Sequence, residues 1–154
     1  MPIGDILMSM IKFKRKPMPI YASLRPLFKI CQILLILDLA SRGKCSSLIR
    51  LHLFVWVLKD EERKKMLLRS LEEKNNIPSV WGVEPSVNFS LQFALAEGLI
   101  FKAGTSFKLS PKGSEFIKTS RSCELLSNDS NFLKKIGLRV TEKMIEATTN
   151  LWKE

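Results

Sequence analysis

A chain of 154 residues, 45% apolar and 26% charged, has room for one domain with a real core and short appended segments. Its 25 Lys and Arg against 15 Asp and Glu give a net charge of +10, which favours encounter with phosphate backbones or acidic protein surfaces and says nothing about fold. Three scattered cysteines (Cys31, Cys45 and Cys123) and a single histidine exclude a four-ligand zinc site, and unpaired thiols fit a reducing cytoplasm.

Residues 1–23 have a character of their own. Ile3, Ile6, Leu7, Met10 and Ile11 recur at helical spacing, and Lys12, Lys14, Arg15 and Lys16 follow before Pro17 and Pro19 stop any helix. The apolar part precedes the charges, the reverse of a secretory signal. We expect a basic arm, able to dock on a partner. The most apolar run, Ile30 to Leu37, is far short of the roughly 20 residues that cross a bilayer. A cytoplasmic protein without membrane contact is the expectation.

Leu24 to Ala40 reads as a buried central helix, apolar on nearly every face, with Pro26 in its first turn and Gly43 placed to cap its end. Ser46 or Ser47 caps the next helix, Leu48 to Leu58. Asp60-Glu61-Glu62 opens a third that runs to about Lys74, its acids at the start and Lys74 at the end suiting the helix dipole. Met66, Leu67 and Leu71 form its inward stripe, and Arg63, Lys64, Glu72 and Glu73 face water. After a loop through Trp81-Gly82, a fourth helix begins at Glu84-Pro85 and ends at Gly98. Strands at Leu99–Lys102 and Phe107–Leu109 flank an Ala103-Gly104-Thr105 turn, and Ser110 caps a helix from Pro111 towards Arg121. Residues 122–130, rich in Ser, Asn and Asp, read as a loop before a last helix from about Asn131 to Trp152. Its stripe of Phe132, Ile136, Val140, Met144, Ala147 and Leu151 is either core or a seam for another helix.

The pattern predicts a mainly α protein: a winged helix, with a small two-stranded β-hairpin wing, and an additional C-terminal helix. The divisions are a basic arm over 1–23, the winged-helix domain over 24–121, and a linker with the C-terminal helix over 122–154.

A DNA-reading winged helix offers Arg, Lys, Asn or Gln from its recognition helix to base edges. The fourth helix here has no Lys or Arg, and carries Asn88 and Gln92 between two apolar stripes. Val87, Leu91, Ala94 and Leu95 make one; Phe89, Phe93 and Ala96 make the other. One stripe serves the core, and the other is either buried under a further helix or offered to a protein. The protein-interface candidates are Met10, Met18, Trp81, Phe89, Phe93 and Trp152. The DNA-contact candidates are Lys12, Lys14, Arg15 and Lys16 of the arm with Lys102, Lys108 and Lys112 of the wing, suited to non-specific backbone contact. For catalysis, His52 lies between Leu51 and Leu53 and reads as structural, and no phosphate-loop, nucleophile-elbow or zinc-protease motif occurs. No catalytic residue, cofactor or metal is expected.

From Leu24 to Gly113 the order resembles the small middle component of bacterial three-component systems built on an SMC-like or ABC-type ATPase, best known from Lamassu-type defence against phages and plasmids. The resemblance lies in the apolar first helix and in Arg50-Leu51 with Trp56. It continues through Glu84-Pro85-Ser86-Val87-Asn88, Ala94, Glu97-Gly98-Leu99-Ile100 and Phe107-Lys108-Leu109-Ser110-Pro111-Lys112-Gly113. It implies a non-catalytic scaffold subunit that binds the SMC-like ATPase and an effector nuclease. A DNA-binding winged-helix transcriptional regulator is the alternative.

Overall fold

In a computed structural model, residues 25–120 and 123–152 are described. The arm over 1–23, with Met10, Met18, Lys12, Lys14, Arg15 and Lys16, lies outside them. Helix α1 (Arg25–Leu39) carries the apolar run Ile33 to Leu37 and becomes the axis of the core. Ile33 through Leu37 are fully buried, because α4, α5 and α6 all pack on this helix. A 3-10 turn (Arg42–Lys44) leads into strand β1 (Cys45–Ser47). Ser47 then caps helix α2 (Leu48–Leu58), its side chain accepting from the Arg50 N–H. Asp60 caps helix α3 (Glu61–Lys74), accepting from the Glu62 N–H, and Asn75 ends it in the left-handed conformation. Helix α4 spans Pro85–Ala96, strands β2 and β3 are Ile100–Ala103 and Ser106–Leu109, and helix α5 spans Pro111–Ser120. Helices α6 (Glu124–Ile136) and α7 (Glu142–Trp152) complete the seven α-helices among the described residues.

The mainly helical architecture holds one small antiparallel sheet, in the order β1-β3-β2. It has three strands, one more than the hairpin expected from sequence. Cys45-Ser46-Ser47 offers no apolar alternation, and its strand character comes from pairing with β3, Cys45 opposite Lys108 and Ser47 opposite Ser106. The inner face of the sheet gives Ile100, Phe107 and Leu109 to the core. Gly104 makes the hairpin turn at φ +67°, a backbone region that other residues enter at a cost.

Two expectations about the C-terminal third fail. The stretch read as a loop over 122–130 is helical from Glu124, and Leu126, Asp129, Ser130, Leu133 and Ile136 are buried on its inner face. The single helix expected from Asn131 to Trp152 is two helices. Gly137, at φ +56° and ψ −133°, ends α6, and Thr141 restarts the chain as α7, its Oγ1 accepting from the Met144 N–H. Of the expected stripe, Phe132, Ile136 and Val140 are buried and Met144 is half-buried, whereas Ala147 and Leu151 face out. On α3, Leu67 and Leu71 point inward as expected. Met66 is exposed and Lys64, expected in water, is buried against α6.

Candidate functional site

Helix α4 and the β2–β3 hairpin were the expected recognition surface, and the fold settles which face of α4 is free. Val87, Ser90, Leu91 and Ala94 face α1 and are buried. Asn88, Phe89, Gln92 and Ala96 face out, with Phe89 63% exposed. Phe93, one turn beyond Phe89, is half-buried and packs against the core, so the outer stripe is led by one ring rather than two.

Both ends of α4 are tied down. At its start, the Glu84 N–H donates to Nδ1 of His52 on α2 at 3.0 Å, and the Glu84 carboxylate meets Lys59 at 2.8 Å. Burial lowers the His52 pKa, with the Glu84 charge opposing it. At its end, Ser110 Oγ donates to the Gly98 carbonyl at 2.5 Å and accepts from the Gly113 N–H at 3.0 Å, joining α4, the hairpin and α5 in one corner. Gly113 is required there: a Cβ at this position would stand 2.0 Å from the Leu99 carbonyl oxygen. Helix α4 therefore presents its outer face from a fixed platform.

The cations nearby are differently placed from one another. Lys112 Nζ donates to the Glu97 carbonyl at 2.9 Å, where a positive charge suits the end of α4. Lys102 Nζ lies 5.8 Å from the centroid of the Phe107 ring. Lys108 is exposed on the outer face of the sheet, without an ion-pair partner among the described residues, in register with Phe101, which is 43% exposed. Of three wing lysines singled out in the sequence, one is fully open to a partner and two also hold local structure.

Trp81 and Trp152 come together, Trp81 turned inward and Trp152 partly open. Trp81 is buried at 6% exposure. Its ring centroid is 4.8 Å from that of Trp152 in an edge-on contact, and Trp152 Nε1 donates to the Ser79 carbonyl at 2.8 Å. The pair fastens α7 to the loop before α4, which removes Trp81 as an interface residue. Trp152 keeps 44% of its surface, next to the exposed Leu151. Sequence reasoning did not single out Phe101. The signal was present, since it lies opposite Lys108 on the non-core face of the hairpin.

Among the described residues, no group of His, Cys, Asp and Glu is placed to hold a metal ion, and no helix is long and apolar enough to cross a membrane. Cys31 is buried, and burial, with Cys123 nearby, pushes its thiol up to about 12. Comparison with protein-family models, curated proteins and solved structures finds no match.

Proposed function

We propose that this chain is a winged-helix, non-catalytic scaffold subunit, cytoplasmic, that bridges an SMC-like ATPase and an effector nuclease in an anti-phage or anti-plasmid defence complex of the Lamassu type. The observation that carries the docking role is the outer face of α4, an exposed Phe89 on a helix without a single cation and anchored at both ends. The strand order β1-β3-β2, with α4 running directly into the hairpin, supports the winged-helix reading. A helix meant for the phosphate backbone would carry Lys or Arg. Large exposed aromatics on a rigid element are the usual anchors of protein interfaces. His52 supports a structural rather than catalytic role, because its Nδ1 is engaged by the Glu84 N–H.

The test is co-purification of the tagged chain from its native host, followed by mass spectrometry. Wild type brings down an ATPase of the SMC type, and Phe89→Ser loses it. Because Phe89 is exposed, its loss should leave thermal stability within about 0.5 kcal/mol of wild type. Recovery of the ATPase at wild-type yield with Phe89→Ser would remove α4 from the interface.

The regulator reading keeps one specific observation, that Lys108 of the hairpin and Asn88 and Gln92 of α4 are all exposed. It predicts DNA affinity that falls steeply with salt and a preferred sequence. Under it, Lys102→Glu with Lys108→Glu weakens DNA binding more than Phe89→Ser does.

A further inference from the structure

The 3-10 turn, strand β1 and the turn between α6 and α7 line a cleft of about 510 Å3. Arg50 of α2 lines it and is 3% exposed. Its Nε donates to the Val140 carbonyl at 2.9 Å, one terminal nitrogen to Ser41 Oγ at 2.7 Å, and the other to the Ala40 carbonyl. All three acceptors are neutral, and two of the five guanidinium N–H donors remain. Among the described residues, Arg50 has no ion-pair partner. The Phe54 ring lies 4.8 Å from its Cζ, and the Glu142 charge offsets part of the cost of burial, which still lowers the Arg50 pKa; a bound anion would add to these without displacing them.

Two further cations and one carboxylate line the cleft. Arg42 and Lys143 stand exposed on its rim, neither in an ion pair among the described residues. The one carboxylate there, Glu142, is turned to β1: its two oxygens accept from Ser47 N–H at 2.8 Å and Ser47 Oγ at 2.7 Å. Leu138, 50% exposed, and Val140 give an apolar wall beside these charges. A charged end and an apolar side suit a ligand with an anionic head and a flat or apolar body, and the volume falls in the ordinary range of small-molecule sites.

We propose that this cleft binds a phosphorylated small molecule of nucleotide size, its phosphate between Arg42 and Lys143 above Arg50 and its body against Leu138 and Val140. Arg and Lys together are a common phosphate cradle, Arg supplying a fork and Lys a point charge. The site is separate from the outer face of α4 and does not depend on the docking role proposed for it.

The experiment is isothermal titration of the full chain with AMP, inorganic phosphate and adenosine as probes. AMP should bind with a one-to-one stoichiometry, phosphate more weakly, and adenosine not measurably. The double variant Arg42→Ala/Lys143→Ala should weaken AMP binding at least about tenfold, as expected for two lost charge-assisted contacts. Both side chains are exposed, so the fold is retained, and circular dichroism checks it. Lys118→Ala/Lys135→Ala, which removes the same charge elsewhere, should bind AMP as wild type does. No AMP binding at about 1 mM, where the free energy is only about −4 kcal/mol, overturns the proposal. So does an AMP affinity equal to that of phosphate or of adenosine, or one that the two double variants reduce alike.

Discussion

His52 is 5% exposed on α2, and its neutral Nδ1 holds the first amide before α4. Because burial lowers its pKa from the ordinary 6.5, the unfolded chain takes up the proton first as pH falls. The stability that depends on neutral His52 is therefore complete above about pH 6.5 and is lost as pH falls through the lowered value. Melting curves between about pH 8 and about pH 5 should show a drop in Tm for wild type. The drop should be shallower for His52→Gln, whose amide oxygen still accepts but does not titrate; parallel curves would show that another group governs the acid limb. Asp129 is a second buried polar anchor. Its carboxylate accepts from Gln32 Nε2 at 3.0 Å and meets Lys64 Nζ at 3.3 Å, tying α1, α3 and α6 together. Asp129→Ala would leave a Lys64 of 7% exposure with the exposed Glu61 at 3.1 Å as its one carboxylate among the described residues. We expect a loss of about 3 kcal/mol, read from the urea midpoint. A loss below about 1 kcal/mol would mean that Lys64 swings out to water instead. The structural role of His52 was legible in the sequence from its apolar neighbours. The burial of Lys64 was not, because it depends on an aspartate that lies 65 residues along the chain and meets it only after α6 has docked.

At the scale of elements, the corner of Leu99, Ser110 and Gly113 shows two effects in competition. Replacing a helical glycine by alanine favours the helix by about 1 kcal/mol. Here the new methyl would meet the Leu99 carbonyl oxygen at 2.0 Å and Leu109 Cδ1 at 2.9 Å, so the steric term wins. Gly113→Ala should lower stability by about 2 kcal/mol or more, measured by urea unfolding, and a neutral result would mean that α5 shifts freely on the sheet. Helices α1 to α5 and the hairpin were readable in the sequence to within a few residues. Their signals are local: Ser47 and Asp60 as caps, Pro85 at a first turn, Gly104 in a hairpin. Helix α6 was hidden because Ser127, Asn128, Asp129 and Ser130 are poor helix formers, and packing against α1 overrides their preference. A better signal was the spacing of Leu126, Ser130, Leu133 and Gly137, which marks both the buried face and the stop. The division between α6 and α7 could have been read from Gly137 with Thr141, a stop followed by a cap.

For the whole molecule, the sequence carried the arrangement of the core better than the roles of the surface. The buried stripe of α4 and the outward one were both visible as patterns, yet which faced α1 required the fold. Trp81 and Trp152, chosen for their size and position, turn out to clasp each other across the loop and the last helix. The cleft beneath Arg42 and Lys143 had no sequence signature, because its walls come from four separate segments. That assembly bears on how the chain reaches its native state. The hairpin β2–β3 closes over a two-residue gap, whereas β1 must find β3 across the intervening helices α2, α3 and α4. Closing a long loop is slow relative to closing a hairpin, and its entropic cost precedes the contacts that reward it. The central sheet is thus completed late. The cleft, walled in part by β1, needs that strand in place, so any ligand it takes would hold the pairing of β1 with β3 closed.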